Sequence, residues 1–182
     1  MLAYKAFNKD LTCTMGKGKY QYEEGKWHEE PAANCVRNGY HCAENPLDCL
    51  TYYGDWNNSA YYIVEAEGDI DEDGGDSKIS CTRIRLIQKL SMFDFVSAAL
   101  EYICRHPERN ISERSGMITV CKECGKARKG GAVIVHGEHP IAYGPAGSIL
   151  ALVKRNPDGG IASVCIRNVD GERCKADTKY QI

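Results

Sequence analysis

The chain has 182 residues, 43% of them hydrophobic, enough for a real core in one domain or in a larger domain with a small companion. Its formal charge of −2 hides two opposite halves: residues 1–80 carry 7 Lys and Arg against 15 Asp and Glu, while residues 81–182 carry 16 against 10. No run reaches the roughly 20 apolar residues of a membrane helix, and Lys5, Lys9 and Asp10 interrupt any signal-peptide core. The expectation is therefore a cytoplasmic protein without membrane association, whose charge asymmetry points to macromolecular partners.

Residues 2–7 read as a short strand, and residues 13–44 are polar and Gly-rich with no clear period. Asn45 is a helix cap, Pro46 suits the first helical position and Asp48 the positive end of the helix dipole. Tyr53, Gly54 and Asp55 close that helix early. Residues 60–66 form an apolar β-rich run, followed by an acidic loop at 65–76 and a second strand over 79–86. Ser91 with Asp94 opens the main amphipathic helix, which lays Met92, Val96, Ala99, Leu100 and Ile103 on one face and ends at His106 and Pro107. After a polar linker at 107–116, short β runs follow at 117–121, 132–136, 148–154, 161–169 and 178–182, with a hairpin turn at 156–160. The pattern predicts an α+β chain: a mixed N-terminal part over 1–110 with one main amphipathic helix, and a β-rich part over 111–182 with a Cys-x-x-Cys turn. No internal repeat is visible.

Ten cysteines are many for this length, and in a reducing compartment they are not disulfides by default. Cys49, Cys104 and Cys165 sit in apolar contexts and read as small buried hydrophobes. Cys121 and Cys124, followed by Gly125, have the half-site spacing of zinc modules, and His136 with His139 offers a second pair. These histidines fall on a strand and not on a finger helix, and Cys165 and Cys174 compete as ligands. A structural zinc and a metal-free reduced pair are both readings of this set, and no cofactor is required.

Asp69, Asp71, Asp73 and Gly74 match the first half of a calcium loop, but its twelfth position is Ser80 and not the bidentate Glu such a loop needs. Glu67, Asp69, Asp71, Glu72, Asp73 and Asp76 therefore read as a solvated, partner-binding acidic surface. Lys122, Lys126, Arg128 and Lys129 lie together on a Gly-bounded turn suited to a phosphate backbone. With no aromatic residue close in sequence, they imply a weak DNA contact without base preference. No nucleophile–base set, phosphate loop or metalloprotease motif is present. Glu65 and Glu67 alternate along a strand like the acidic pair of ADP-ribosyltransferases, with Gly39, Tyr40, His41, Tyr52 and Tyr53 as a fainter likeness.

The blocks YKAFNKDLTC (4–13), QYEEGK (21–26), NGYHCAENPLDC (38–49) and DSKI (76–79), with the tail VDGERCKADT (169–178), resemble an uncharacterised family of phages, prophages and Firmicutes. Longer relatives have a Gly- and Ala-rich repeat where this chain has residues 107–145, so the resemblance does not extend to Cys121 and Cys124. The chain also resembles type II anti-CRISPR proteins of gut Firmicutes and their phages. That resemblance implies a stoichiometric inhibitor in the bacterial host cytoplasm. It would bind the RNA-guided CRISPR effector nuclease with its guide RNA and block recognition or cleavage of target DNA, with acidic residues competing for a basic channel. Two other classes stay open: an ADP-ribosyltransferase-like enzyme, and a zinc-stabilised nucleic-acid-binding module over 117–182.

Overall fold

The computed structural model describes every residue except 15–17, 36 and 73. It divides into two compact units, Met1–Ser91 and Met92–Ile182. The division falls before the main helix and not at 110/111, because the apolar face of that helix packs on strands of the C-terminal unit. The charge contrast shrinks with it. The first unit has 10 Lys and Arg against 15 Asp and Glu, and the second 13 against 10.

In the first unit the order is β1 (Leu2–Asn8), β2 (Thr12–Cys13), β3 (Tyr20–Gln21), β4 (Trp27–Glu29), β5 (Tyr40–Ala43), α1 (Pro46–Tyr52), a short 3-10 turn (Trp56–Asn58), β6 (Ser59–Glu72) and β7 (Lys78–Lys89). Strand β7 pairs with β5 and β4 along one edge and with β6 along the other, while β1 joins β5 to β6. The sheet thus closes into a small antiparallel barrel through β7, β5, β1 and β6. Its seam is narrow: β1 meets β5 at Tyr4↔Ala43 alone, but meets β6 from Leu2↔Glu65 to Asn8↔Ser59. Strand alternation turns Ala3, Phe7, Cys42, Tyr62, Val64 and Ile79 into the core.

Helix α1 begins where its cap predicts, with Leu47 N–H donating to the Asn45 side chain at 3.1 Å. Asp48 does more than face the dipole. Its carboxylate accepts from the Ser77 amide at 3.1 Å and hydroxyl at 2.7 Å, fastening the helix to the start of β7. The expected acidic loop at 65–76 is mostly strand, since β6 runs to Glu72 and pairs with β7 as far as Glu72↔Ile79. A bulge between Glu67 and Ile70 is made by Gly68 at φ +79, where an added Cβ would strike the Thr82 hydroxyl.

The second unit comprises α2 (Met92–Arg105), β8 (Ile118–Lys126), β9 (Ala132–Tyr143), β10 (Ile149–Arg155), β11 (Ile161–Asn168) and β12 (Tyr180–Gln181). Val96, Ala99, Leu100 and Ile103 of α2 are buried as the period predicts, joined by Phe95 and Tyr102, whereas Cys104 is exposed and not a core residue. Strands β8, β9 and β10 pair in parallel although only a few residues link them. Ile118 lies beside Ala132, 14 residues on, and Ala132 beside Ile149, 17 residues on. The chain therefore coils in stacked rungs, a repeat in geometry that the sequence does not display. Each rung turns Val133 and Val135, or Leu150 and Leu152, inward, with Cys121, Ala127, Ala142 and Val169 filling the same interior. Strand β11 returns antiparallel from β10 through the predicted turn, closed by Asn156 N–H to Gly160 O at 2.8 Å.

Candidate functional site

The acidic run is largely neutralised by its own sheet. Register places Glu65 opposite Arg85 and Glu67 opposite Arg83. The carboxylates meet the guanidiniums at 2.5 Å and 3.0 Å, and Arg83 also reaches Glu29 at 3.0 Å. Trp27 lies beneath both guanidiniums, 4.5 Å and 4.8 Å from its ring centre. Asp71 accepts from the Cys35 amide at 2.6 Å, and Asp76 from Tyr52 at 3.0 Å and the Lys78 amide at 2.8 Å. Of the six expected partner-binding carboxylates, Asp69 and Glu72 keep no partner among the described residues, and Asp73 lies outside them. Ile70, between Asp69 and Asp71, is 42% exposed.

The four candidate zinc ligands are not brought together. Cys121 lies within β8 and not on a turn, packed against the interior of the coil, while Cys124 is exposed. Between them Glu123 takes φ 56, and its carboxylate accepts from the amides of Glu138 and His139 at 3.1 Å each. This pins a bulge in β9: Lys122 still faces His136, but Cys124 faces Ile141. The bulge separates His136, which is 5% exposed, from His139, which is on the surface. Burial pushes the Cys121 thiol pKa up, with Glu113 and Cys124 adding, against the thiolate a zinc ligand needs. Gly125 serves packing here, since a Cβ would sit 2.3 Å from the Cys121 sulfur and 2.8 Å from Val133. Among the described residues no group of three or more His, Cys, Asp or Glu is placed to hold a metal ion; within the calcium-like run Asp71 is paired with β7, and Asp73 lies outside the described residues.

The basic residues are closer to an aromatic ring than their sequence neighbourhood implies. Lys126 faces Tyr143 across β8 and β9, and the ammoniums of Lys126 and Lys179 lie 5.6 Å and 6.0 Å from that ring. Lys126 also approaches Asp177 at 3.6 Å. Arg128 and Lys129 follow in the turn closed by Gly131 N–H to Arg128 O, and Lys122 stands apart beside His136.

A site that the motifs did not disclose lies in the barrel, at a cavity of about 560 Å³. Its lining includes Lys5, Cys13, Tyr20, Tyr22, Tyr40 and Tyr53. Lys5 shares the inner face of β1 with Ala3 and Phe7 and is 8% exposed. Its ammonium donates to His41 O at 2.5 Å and sits over the rings of Phe7 and Tyr22 at 5.4 Å and 5.2 Å. Burial by itself draws its pKa down, but Tyr22, Cys13 and Cys42 around it favour the cation more, and the net lies above the ordinary lysine value. Burial pushes the Tyr22 phenol up to about 12 and raises Tyr40 as well, so both stay neutral at physiological pH. His28 fixes the direction of a short relay. Glu23 N–H donates to its Nε2 at 3.1 Å, so Nδ1 carries the proton toward Tyr20 at 3.1 Å. Tyr20 then donates to Tyr40 at 3.0 Å, and Tyr40 to Glu29 O at 3.1 Å.

Gly39, Tyr40, His41, Tyr52 and Tyr53, the fainter ADP-ribosyltransferase likeness, do meet around this cavity, but Glu65 and Glu67 do not line it. The one available signal for the cavity was Lys5 itself, a charge at an inward position of an otherwise alternating strand.

The first unit is a barrel with a tyrosine-lined cavity, joined in sequence to a coiled β unit, and such a fold by itself carries no function. The chain belongs to the family of the domain of unknown function DUF7666, whose model matches residues 1–98. No curated protein and no solved structure matches the chain. Among the described residues no helix is long and apolar enough to cross a membrane.

Proposed function

We propose that the protein is a stoichiometric binding protein that holds a cationic macromolecular partner through the far end of the β6–β7 hairpin. The observation that supports this reading is the exposed Ile70 flanked by Asp69 and, two positions on, Glu72, whose carboxylates have no partner among the described residues. An apolar anchor beside free charge fits protein docking better than mere solvation. The resemblance to type II anti-CRISPR proteins supplies the partner: the RNA-guided effector nuclease with its guide RNA, whose nucleic-acid channel is basic. The protein then acts in the host cytoplasm by blocking target DNA recognition or cleavage.

The test is retention on the immobilised effector–guide complex, followed by a DNA cleavage assay. The double variant Asp69→Lys, Glu72→Lys is expected to weaken binding about tenfold or more, with wild-type binding itself weakened by salt. Glu67→Gln should leave affinity unchanged, because that carboxylate already serves Arg83. Failure of the wild-type protein to be retained overturns the reading.

A second, subsidiary activity is a weak DNA contact by the C-terminal unit, favoured by Lys126 and Lys179 over Tyr143. Mobility shifts of single-stranded DNA at low and moderate salt check it. The double variant Lys126→Ala, Lys179→Ala should abolish the low-salt shift, and a shift unchanged in that variant removes Tyr143 as the platform.

A further inference from the structure

The barrel cavity reverses the charge of the unit that contains it. The unit carries 10 Lys and Arg against 15 Asp and Glu, yet the cavity is lined by Lys5, Arg37 and Lys78 against the single carboxylate of Glu30. Lys5 is the deepest of these cations. It has no carboxylate partner among the described residues; of its three donors one goes to His41 O and a second lies within reach of the Tyr22 phenol. Burying an ammonium without a counter-ion is costly unless something else supplies the missing charge. An independent orphan lies on the same wall. The Tyr53 hydroxyl is buried, with only the weakly bonding Cys13 thiol and the Thr14 backbone near it. Aromatic faces make up much of the remaining surface, and a cavity of about 560 Å³ is in the range that takes a small organic molecule.

We propose that this cavity binds a small organic oxyanion with a planar aromatic body, its anionic head on Lys5 Nζ and its ring among Tyr20, Tyr22 and Tyr40. The incoming anion supplies the charge that Lys5 lacks, and Tyr53 has a hydroxyl left to donate. Arg37 and Lys78 favour the approach of a negative ligand through the field they set at the lining. Carboxylates, sulfonates and phosphate monoesters share this head-group chemistry. The cavity adjoins the hairpin end at Lys78, but Lys5 and the tyrosines are not part of the docking surface, so Lys5→Met and the Asp69→Lys, Glu72→Lys variant test the two readings apart.

The experiment titrates the full-length protein with 1-anilinonaphthalene-8-sulfonate and, as the uncharged control, N-phenyl-1-naphthylamine. The expected result is saturable binding of one sulfonate per chain, at least tenfold tighter than the neutral probe. Lys5→Met keeps the length and apolar stem, and should lose the sulfonate preference by tenfold or more while leaving the neutral probe unchanged. Displacement by 4-hydroxybenzoate against phenyl phosphate then distinguishes carboxylate from phosphate ligands. Arg37→Gln, at an exposed position, provides a variant that does not disturb the core, with a few-fold loss expected. Equal affinity for the two probes, no saturable binding, or sulfonate binding unaltered in both variants overturns the proposal.

Discussion

The barrel and the coil solve the same problem, closing a sheet on itself, with opposite interiors. Inside the coil, stacked rungs bring equivalent positions into register, and Val133, Val135, Leu150 and Leu152 fill the space between them. Inside the barrel, Phe7, Val64, Ile79, Ile84 and Leu86 share the core with the phenols of Tyr22, Tyr40 and Tyr62 and the thiols of Cys42 and Cys81, and Lys5 lies beside them at a cavity. A repeat fills its interior because each rung supplies the shape its neighbour needs. The difference sets a close-packed interior in the second unit against a tyrosine-lined cavity in the first.

The sharpest way to break this comparison is to hollow out the coil. Leu152→Ala should cost about 2–5 kcal/mol, because a close-packed interior relaxes poorly around a lost side chain. Amide hydrogen exchange confined to the second unit would read it. Next is overfilling: Gly125→Ala forces a Cβ against the Cys121 sulfur and Val133, at about 1–3 kcal/mol. Adding Cys121→Ala should recover part of the loss, and thermal melts of the single and double variants check the pairing. No recovery would mean that the backbone, and not the sulfur, sets the limit.

A smaller effect follows from pH. Burial, with Arg155 and Lys122 adding, holds the His136 pKa below the ordinary 6.5, and its Nε2 has no hydrogen-bond partner among the described residues. On acidification the unfolded chain takes up that proton first. The contribution of the neutral ring is complete above about pH 6.5, and it is lost as pH falls through the folded value. His136→Gln should flatten the stability profile below that point, as followed by urea melts across pH. The smallest effects belong to the barrel. Glu67→Gln removes one partly exposed ion pair and should change stability by at most about 1 kcal/mol. Tyr53→Phe removes a buried hydroxyl with only the weakly bonding Cys13 thiol and the Thr14 backbone near it, and should be neutral or slightly stabilising, a result that would separate the hollow from an ordinary packed core.

Much of the chain was legible because local rules govern it. The Asn45 cap, the apolar face of α2 and the turn at 156–160 each depend on residues a few positions apart, so spacing alone identifies them. The acidic run misled for the opposite reason. Its composition says nothing of Arg83 and Arg85, which hydrogen-bond to Glu67 and Glu65 from 16 and 20 residues away and turn an acidic loop into a paired strand. The Cys121, Cys124, His136 and His139 spacing likewise does not reveal the bulge that Glu123 pins into β9. A cut at 110/111, the boundary read from the polar linker, would also remove the helix that packs on β9 and β10; the division at 91/92 places the cut before it.

By itself the sequence located β1 and β6 to β12, though not β2 to β5, and it determined the two helices with their ends and the sign of charge carried by each stretch, since these depend on residue type and short-range periodicity. Only the tertiary structure decided which charges survive and which residues share a site. Register across β6 and β7 cancels Glu65 and Glu67, barrel closure carries Lys5 to Tyr22 and His41, and coiling sets Tyr143 beneath Lys126 and Lys179. Each of these is a contact between segments far apart in the chain. Their geometry is set by strand pairing and core packing, which no local pattern of residues encodes.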